Sequence, residues 1–360
     1  MNTLAPTRPV ADADGSLSLE RHEDLDSLRE DWTGLAERCG NPFATWEWAR
    51  TWWDHFGEDR PLLITACRRP DGTIAAILPL YLSKRGRLRM LRFVGHGAGD
   101  VLGPVCASED TALAASPLRQ TLSDEGRSWD LLLAERLPKG LLPGHVLQEE
   151  ANPLLPIDGT TWEEFLASCS SNLRGQIRTK RRRLQRDHEA SFRLTDDLGR
   201  LDEDFDTLVM LHHARWGEAR AFDERRRAFH RDFAAVALER GWLRLWFLEA
   251  EGRPVAAWHG FRFGDVEWYY QSGRDPEWDR RSVGLTLLAR TMQGAFDDGM
   301  SAYAFLRGDE EYKKRFATQD AGLETVGVPR GALGLTAISA ARAAKRMPPS
   351  VRHRVLSSLG

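Results

Sequence analysis

The chain has 360 residues, 42% of them apolar and 29% charged, with a formal net charge of −3 at neutral pH. It is long enough for two hydrophobic cores, too apolar for a disordered chain and too charged for a membrane-embedded one, and its acidic balance argues against a dedicated nucleic-acid binder. Four scattered cysteines without a C-x-x-C pair predict neither a disulfide framework nor a zinc knuckle.

The N-terminus lacks the pattern of a secretory signal and no segment approaches eighteen uninterrupted apolar residues, so a cytoplasmic protein is expected. Residues 1–16, rich in Ala, Pro, Asp and Thr, read as a frayed leader. Across residues 25–56 apolar positions recur at helical spacing, broken at Asn41-Pro42; this predicts two helices, the second carrying Trp48, Trp52 and Trp53 into the core. Apolar runs at 61–67, 73–82 and 88–94, separated by Pro70-Asp71-Gly72 and Lys84-Arg85-Gly86, predict a three-stranded meander. A helix near 113–122 and a strand at 129–134 complete a first unit, and the Pro/Gly-rich stretch 137–144 puts a boundary between 140 and 160.

Beyond it, Thr161-Trp-Glu-Glu164 has the form of a capping box. Residues 174–186 hold seven basic side chains and no acidic one, with Leu173, Ile177 and Leu184 along one helical face. Such a basic amphipathic helix is either a solvated, ion-paired face or a dock for RNA or anionic lipid. Runs at 242–248, 254–263 and 266–271 repeat the meander, with Val255-Ala256-Ala257 echoing Ile74-Ala75-Ala76. The expectation is an α/β (α+β) chain of tandem units, residues 17–150 and 151–330, each a mixed, mainly antiparallel sheet flanked by helices. Residues 331–360 form a basic helical tail that either packs as a terminal helix or contacts a membrane surface.

Residues 268–290 read as a strand, a polar loop and an apolar helix from about Ser282. A helix start presents unpaired N–H groups and partial positive charge; Gly284 there would admit a phosphate and Arg281 would add charge, as the pyrophosphate of coenzyme A needs. His212 and Arg215, one helical turn apart, either face a cleft for an anionic acceptor or serve the structure.

The order of meander, anion-binding loop and helix, strand at 300–306 and a further helix resembles the GCN5-related N-acetyltransferases. Asn41-Pro-Phe-Ala-Thr-Trp-Glu-Trp48, Ile77-Leu-Pro-Leu80, Asn172-Leu-Arg174, Leu211-His212 with Arg215-Trp216, and Phe305-Leu-Arg-Gly-Asp-Glu-Glu-Tyr-Lys313 look like the CelD/BioF2-like branch, related to the FemAB peptidoglycan aminoacyltransferases. The resemblance covers residues 25–320. It implies direct transfer of an acyl group from acyl-coenzyme A (acetyl-coenzyme A) to an amine or hydroxyl of a sugar, amino or carrier-linked acceptor, with no metal, in exopolysaccharide or envelope synthesis. An aminoacyl-tRNA donor and a non-catalytic scaffold are the alternatives. The resemblance also implies site roles. Backbone N–H groups of Gln271, Ser272 and Gly273 would polarise the carbonyl, and Arg281, Ser282, Val283, Gly284, Leu285 and Thr286 would hold the pyrophosphate, Thr286 departing from the family's small residue. Tyr312 would protonate the leaving thiolate or simply pack; Lys313 would steady an oxyanion or belong to a solvated face. His212, Arg215, Trp216 and Arg307 would face the acceptor; no carboxylate stands out as a general base, the candidates being Glu267, Asp309, Glu310 or a chain of waters.

Overall fold

The computed structural model describes residues 17–58, 60–124, 128–157, 159–217 and 220–345. The chain divides into two compact units: Met1–Ala49, Gly57–Glu149 and Glu324–Gly360 in one, Arg50–Phe56 and Glu150–Leu323 in the other. The expected leader and residues 346–360 of the expected tail lie outside the described residues.

The chain begins with β1 (Ser18–His22), α1 (Arg29–Cys39) and α2 (Trp46–Phe56), the last two separated by the Asn41-Pro42 break, where Asn41 accepts a hydrogen bond from the Phe43 N–H. There follow β2 (Leu62–Arg68), β3 (Ile74–Arg85) and β4 (Leu88–Phe93), an antiparallel meander, and β5 (Val105–Cys106), paired to β3. Helix α3 (Thr111–Asp124) then crosses to β6 (Leu131–Pro138), which lies parallel to β4 through Met90↔Leu131 and Leu91↔Leu132. After β7 (His145–Glu150) the chain enters the second unit with β8 (Pro153–Pro156), α4 (Trp162–Ser168), α5 (Ser171–His188), β9 (Ser191–Leu194), α6 (Leu198–Trp216) and α7 (Glu224–Glu239). A second meander, β10 (Leu243–Ala250), β11 (Arg253–Phe263) and β12 (Val266–Arg274), precedes α8 (Val283–Asp297) and β13 (Ala302–Ala304), again parallel to the last meander strand. The chain closes with α9 (Glu311–Lys314), β14 (Gln319–Asp320), β15 (Leu323–Pro329) and α10 (Gly331–Lys345).

Meander, crossover helix and parallel fourth strand therefore occur twice, which is the tandem, mainly antiparallel arrangement expected. The first sheet runs β1-β2-β3-β4-β6-β15-β7 with β5 beside β3, and the second β14-β8-β13-β12-β11-β10-β9. The expected boundary at 330 and separate tail need correction. β15 is a strand of the first sheet, and α10 buries Ala337 and Ile338 in a cluster with Met90, Leu131 and Leu133. A strand this short wins its place by pairing with strands far away in sequence, so local pattern does not announce where it belongs.

In the second unit the two faces of the sheet are covered differently. One face, with Val255, Trp258 and Tyr269, packs against Leu287, Leu288 and Met292 of α8, Trp162 and Phe165 of α4, and Leu173, Ile177 and Leu184 of α5. Each such fully buried side chain contributes roughly 1.5–3 kcal/mol of transfer free energy. The capping box of α4 is present: Thr161 Oγ1 accepts from Glu164 N at 3.3 Å and Glu164 Oε2 from Thr161 N at 2.9 Å. The other face meets α6 and α7 through rings: Phe205 sits edge-on to His259 and to Phe222, and Phe233 edge-on to Phe261. Histidines enter this core, with His212, His230 and His259 each no more than 3% exposed.

Burial holds His212 at about 4 and His259 at about 3, and pushes His230 well below the ordinary imidazole value. Unfolding returns these rings to about 6.5, so below that pH the unfolded chain takes up protons that the folded chain refuses. Their stabilising contribution is full above pH 6.5 and is lost progressively as the pH falls towards 4. Neither His259 ring nitrogen has a hydrogen-bond partner, so His259→Leu gives up no bond. Thermal melts between pH 8 and 4 should show the wild-type midpoint falling below pH 6.5 and a shallower fall for His259→Leu, by about 2 kcal/mol at pH 5; superimposable profiles would contradict this account.

Candidate active site

Two backbone features of β12 shape the site. Its parallel pairing with β13 ends at Trp268↔Ala304, while its antiparallel pairing with β11 continues to Ala256↔Arg274. Beyond Trp268, one edge of β12 therefore has no strand partner among the described residues. The second feature is a bulge: Tyr269 lies opposite Gly260 and Gln271 opposite His259, so Tyr270 is an extra residue. In a regular strand Tyr269 and Ser272 would face opposite ways. With the bulge between them they stand opposite Gly260 and Trp258, which share a face of β11, and so point the same way.

That face opens into a cleft of about 360 Å³ lined by residues of β12 (Tyr269, Ser272, Gly273, Arg274), the start of α8 (Ser282, Gly284, Leu285), Trp258, Asp279, Tyr312, Arg215 and Arg315, among others. The Trp258 ring stacks on Tyr269 with centroids 5.4 Å apart. Gly260 makes this packing fit: a Cβ there would collide with the Trp258 ring and the Trp268 carbonyl. The floor carries a chain of hydroxyls. Tyr312 Oη donates to Tyr269 Oη at 3.3 Å, Tyr269 Oη and Ser272 Oγ are 2.5 Å apart, and Arg215 Nη1 donates to Ser272 Oγ at 2.9 Å. Burial, then the neighbouring Tyr269, raises the Tyr312 phenol well above its usual value, so it stays protonated at neutral pH.

At the mouth, Ser282 adopts the left-handed conformation (φ +59°) and no side chain caps α8. The first-turn N–H groups of a helix have no intrahelical partner, so this end keeps its free donors and its partial positive charge. Arg274, ion-paired with Asp279, and Arg315, donating to Gln176 Oε1 at 2.9 Å, add cationic groups. With Arg215 the lining holds three guanidiniums against one carboxylate, a surface suited to an anion.

Of the fifteen site residues expected from sequence, the structure brings Arg215, Ser272, Gly273, Ser282, Gly284, Leu285 and Tyr312 to the cleft. The others are placed elsewhere. Arg281 donates to His188 Nε2 at 2.9 Å and covers the Trp278 ring, so its guanidinium is committed to another surface. Val283 is core, and Thr286 turns its hydroxyl to the Ser282 carbonyl and lines a separate cavity with Trp162 and Arg290. Gln271 lies beside the buried His212, and neither lines the cleft. Trp216 is half exposed and carries the Arg215 guanidinium on its ring at 4.2 Å, clamping that side chain. Lys313 is buried, donates to the Arg307 carbonyl at 2.6 Å and pairs with Glu310 at 3.0 Å; it braces the 307–310 turn. Arg307 reaches Glu150 at 3.4 Å. Glu267 is 1% exposed and held by Arg262 at 2.9 Å, away from the cleft. Sequence reasoning missed Trp258, Tyr269, Arg274, Asp279 and Arg315. For Arg274, a cation at the end of a central strand was the available signal.

Residues 171–314 match the family model described as an acetyltransferase (GNAT) domain, which places the second unit in the GNAT superfamily. No curated protein matches the chain by sequence. Among solved structures, the chain shares its fold with FemX at 12% identity and a TM-score of 0.61, over 86% of this chain and 96% of that one. It likewise resembles the C-terminal domain of a putative lysylphosphatidylglycerol synthetase from Agrobacterium fabrum, at 13% identity and a TM-score of 0.53, covering 87% and 95% of the two chains. A conserved protein of unknown function from Bacteroides thetaiotaomicron matches at 12% identity and a TM-score of 0.52 over 86% of this chain and 99% of that one.

Two cleft glycines should behave oppositely. A Cβ on Gly273 would penetrate the backbone of Leu211 and His212, whereas one on Gly284 meets its nearest neighbour, Arg274 Cδ, at an ordinary 3.5 Å. Gly273→Ala should destabilise the protein by about 1–3 kcal/mol because α6 must retreat from β12. Gly284→Ala should leave stability within about 0.5 kcal/mol. Urea unfolding of the two variants measures both.

Proposed function

We propose that the second unit binds an acyl-coenzyme A in this cleft and transfers its acyl group to an amine or hydroxyl, an N- or O-acyl transfer on a sugar, amino or carrier-linked acceptor. The observation that carries the reading is the meeting, in one cleft, of an uncapped helix start, an unpaired strand edge and a buried neutral phenol. The first-turn N–H groups of α8, with Arg274 and Arg315 nearby, suit a pyrophosphate. The free edge of β12 offers backbone N–H groups to a thioester carbonyl. Attack of the acceptor on the carbonyl carbon forms the new C–N or C–O bond; collapse of the oxyanion breaks the C–S bond. The leaving thiolate takes the Tyr312 proton, and the acceptor's proton passes to solvent. Action in exopolysaccharide or envelope synthesis is part of this proposal and rests on the sequence resemblance alone.

One observation weighs against an aminoacyl-tRNA donor docked on α5. Of its seven cations between 174 and 186, Arg174 serves the Ala167 and Cys169 carbonyls, Lys180 the Arg280 carbonyl and Arg181 the Gln293 side chain, while Arg178 and Arg186 pair with Glu163 and Asp187. Arg182 and Arg183 remain outward, a small footprint for RNA. As to membranes, no helix among the described residues is long and apolar enough to cross one.

A ligand that binds only the folded chain stabilises it by about 2.7 kcal/mol at 100 times its Kd. Acetyl-coenzyme A or a longer acyl-coenzyme A should therefore raise the thermal midpoint of the wild type, and Gly284→Trp, which fills the first turn of α8, should abolish the shift. Tyr312→Phe should keep the shift and slow acyl transfer by about 100-fold or more. A shift with aminoacyl-tRNA alone would favour the tRNA donor, and no shift with either a non-catalytic role.

A further inference from the structure

The hydroxyl chain on the cleft floor has a direction. Arginine only donates, so Arg215 Nη1, 2.9 Å from Ser272 Oγ, occupies one of that oxygen's two acceptor positions. Tyr269 Oη accepts from Tyr312 and lies 2.5 Å from the same Ser272 oxygen. Between a phenol and an alkyl hydroxyl, the phenol is the stronger acid and the alkyl oxygen the better acceptor, so Tyr269 donates to Ser272. Both acceptor positions of Ser272 are then filled, one by a cation and one by a chain of two phenols. Its own O–H has no role within the chain and faces the cleft that Ser272 lines.

We propose that Ser272 is a catalytic residue that donates this hydrogen bond to the thioester carbonyl oxygen as it becomes an oxyanion, and that Arg215 is a positioning residue acting through it. The inference rests on the acyl-coenzyme A reading. It adds a side-chain donor to the backbone N–H groups of the β12 edge. A hydroxyl that accepts from a guanidinium is a stronger donor than one alone, because each bond polarises the next. No proton leaves Ser272: the oxyanion is stabilised, collapses with C–S cleavage, and Ser272 is regenerated unchanged while Tyr312 protonates the thiolate. The position is fixed by packing. Ser272 sits opposite Trp258 on β11, one residue before the glycine on which α6 closes, and Arg215 is clamped between Ser272 and the Trp216 ring.

The test uses acetyl-coenzyme A with a carbon-13 carbonyl, bound to the full-length protein and read by isotope-edited difference infrared spectroscopy. Acetyl transfer to hydroxylamine, a small nucleophile that needs no acceptor site, supplies the rate. In the wild type the carbonyl stretch should fall below its frequency in solution. Ser272→Ala should move it back towards the solution value and lower kcat about 100-fold, with the acetyl-coenzyme A Kd unchanged within twofold. Arg215→Met should give an intermediate frequency, and Arg215→Lys should recover part of the wild-type shift, a pattern that a purely structural role would not produce. Full binding by Ser272→Ala with wild-type frequency and rate overturns the proposal while leaving the donor reading intact. Failure of the wild type to bind acetyl-coenzyme A at all overturns the donor reading, and this proposal with it.

Discussion

The site depends on a single extra residue in β12. Were Tyr270 paired in regular alternation instead of bulged, the strand after it would be turned by one position, with Ser272 facing α6 and Gln271 the cleft. The bulge reverses this, placing Tyr269 and Ser272 together over α8 and sending Gln271 to the buried His212. It also falls just past the point where β13 departs, so the strand is re-aimed where its outer edge becomes free. The end of the β13 pairing supplies the open backbone, and the bulge places the polar side chains beside it. Gly260, directly across the ladder, is its counterpart: it accepts the Trp258 ring that lies on Tyr269.

A bulge is useful only if the strand carrying it cannot shift, and the two coverings of the sheet provide that stiffness. The α8 face is a dense aliphatic and aromatic core. On the opposite face, α6 approaches so closely that its backbone at Leu211–His212 occupies the space a Gly273 side chain would need. A network of Arg193 with Asp204 and Glu249, joined by Thr195 on Asp204, ties β9, β10 and α6 together beside this contact. The helix pinned in this way is the one that carries Arg215 in its last turn. The position of its guanidinium on Ser272 is therefore a consequence of packing over the whole length of α6.

Much of this was legible in the sequence, and the illegible parts share a cause. Both meanders, the capped start of α4, the basic helix with its Leu173, Ile177 and Leu184 stripe, and the apolar α8 follow from local periodicity and were expected where they lie. β8 and β15 were not, because four to seven residues with no strong alternation become strands only through partners more than a hundred residues away. Side-chain direction was the other loss. Arg281 and Lys313 have the charge and sequence position that anion or oxyanion binding needs, yet His188 and the Trp278 ring take the first, and the Arg307 carbonyl and Glu310 the second. The bulge, which decides which residues of β12 face the cleft, leaves no compositional mark. Arg274 reaches the cleft from the strand's end in the register that follows the bulge.

The distribution of titratable groups gives the site its chemical character. All three deeply buried histidines of the second unit, His212, His230 and His259, belong to the α6–α7 side, where burial keeps them neutral and out of reach. The lining of the cleft contains no histidine; its ionisable and hydroxyl groups are two phenols, two serines, three arginines and one carboxylate, Asp279, already paired with Arg274. Under the proposed acyl transfer, such a lining would stabilise charge and supply the Tyr312 proton, with no histidine in it to serve as a base. In that proposed reaction the acceptor would arrive already deprotonated or lose its proton to water, and its own ionisation would govern how the rate depends on pH. That proposal would make acceptor basicity an element of selection alongside shape, tied to the same packing that sent the histidines to the far face of the sheet.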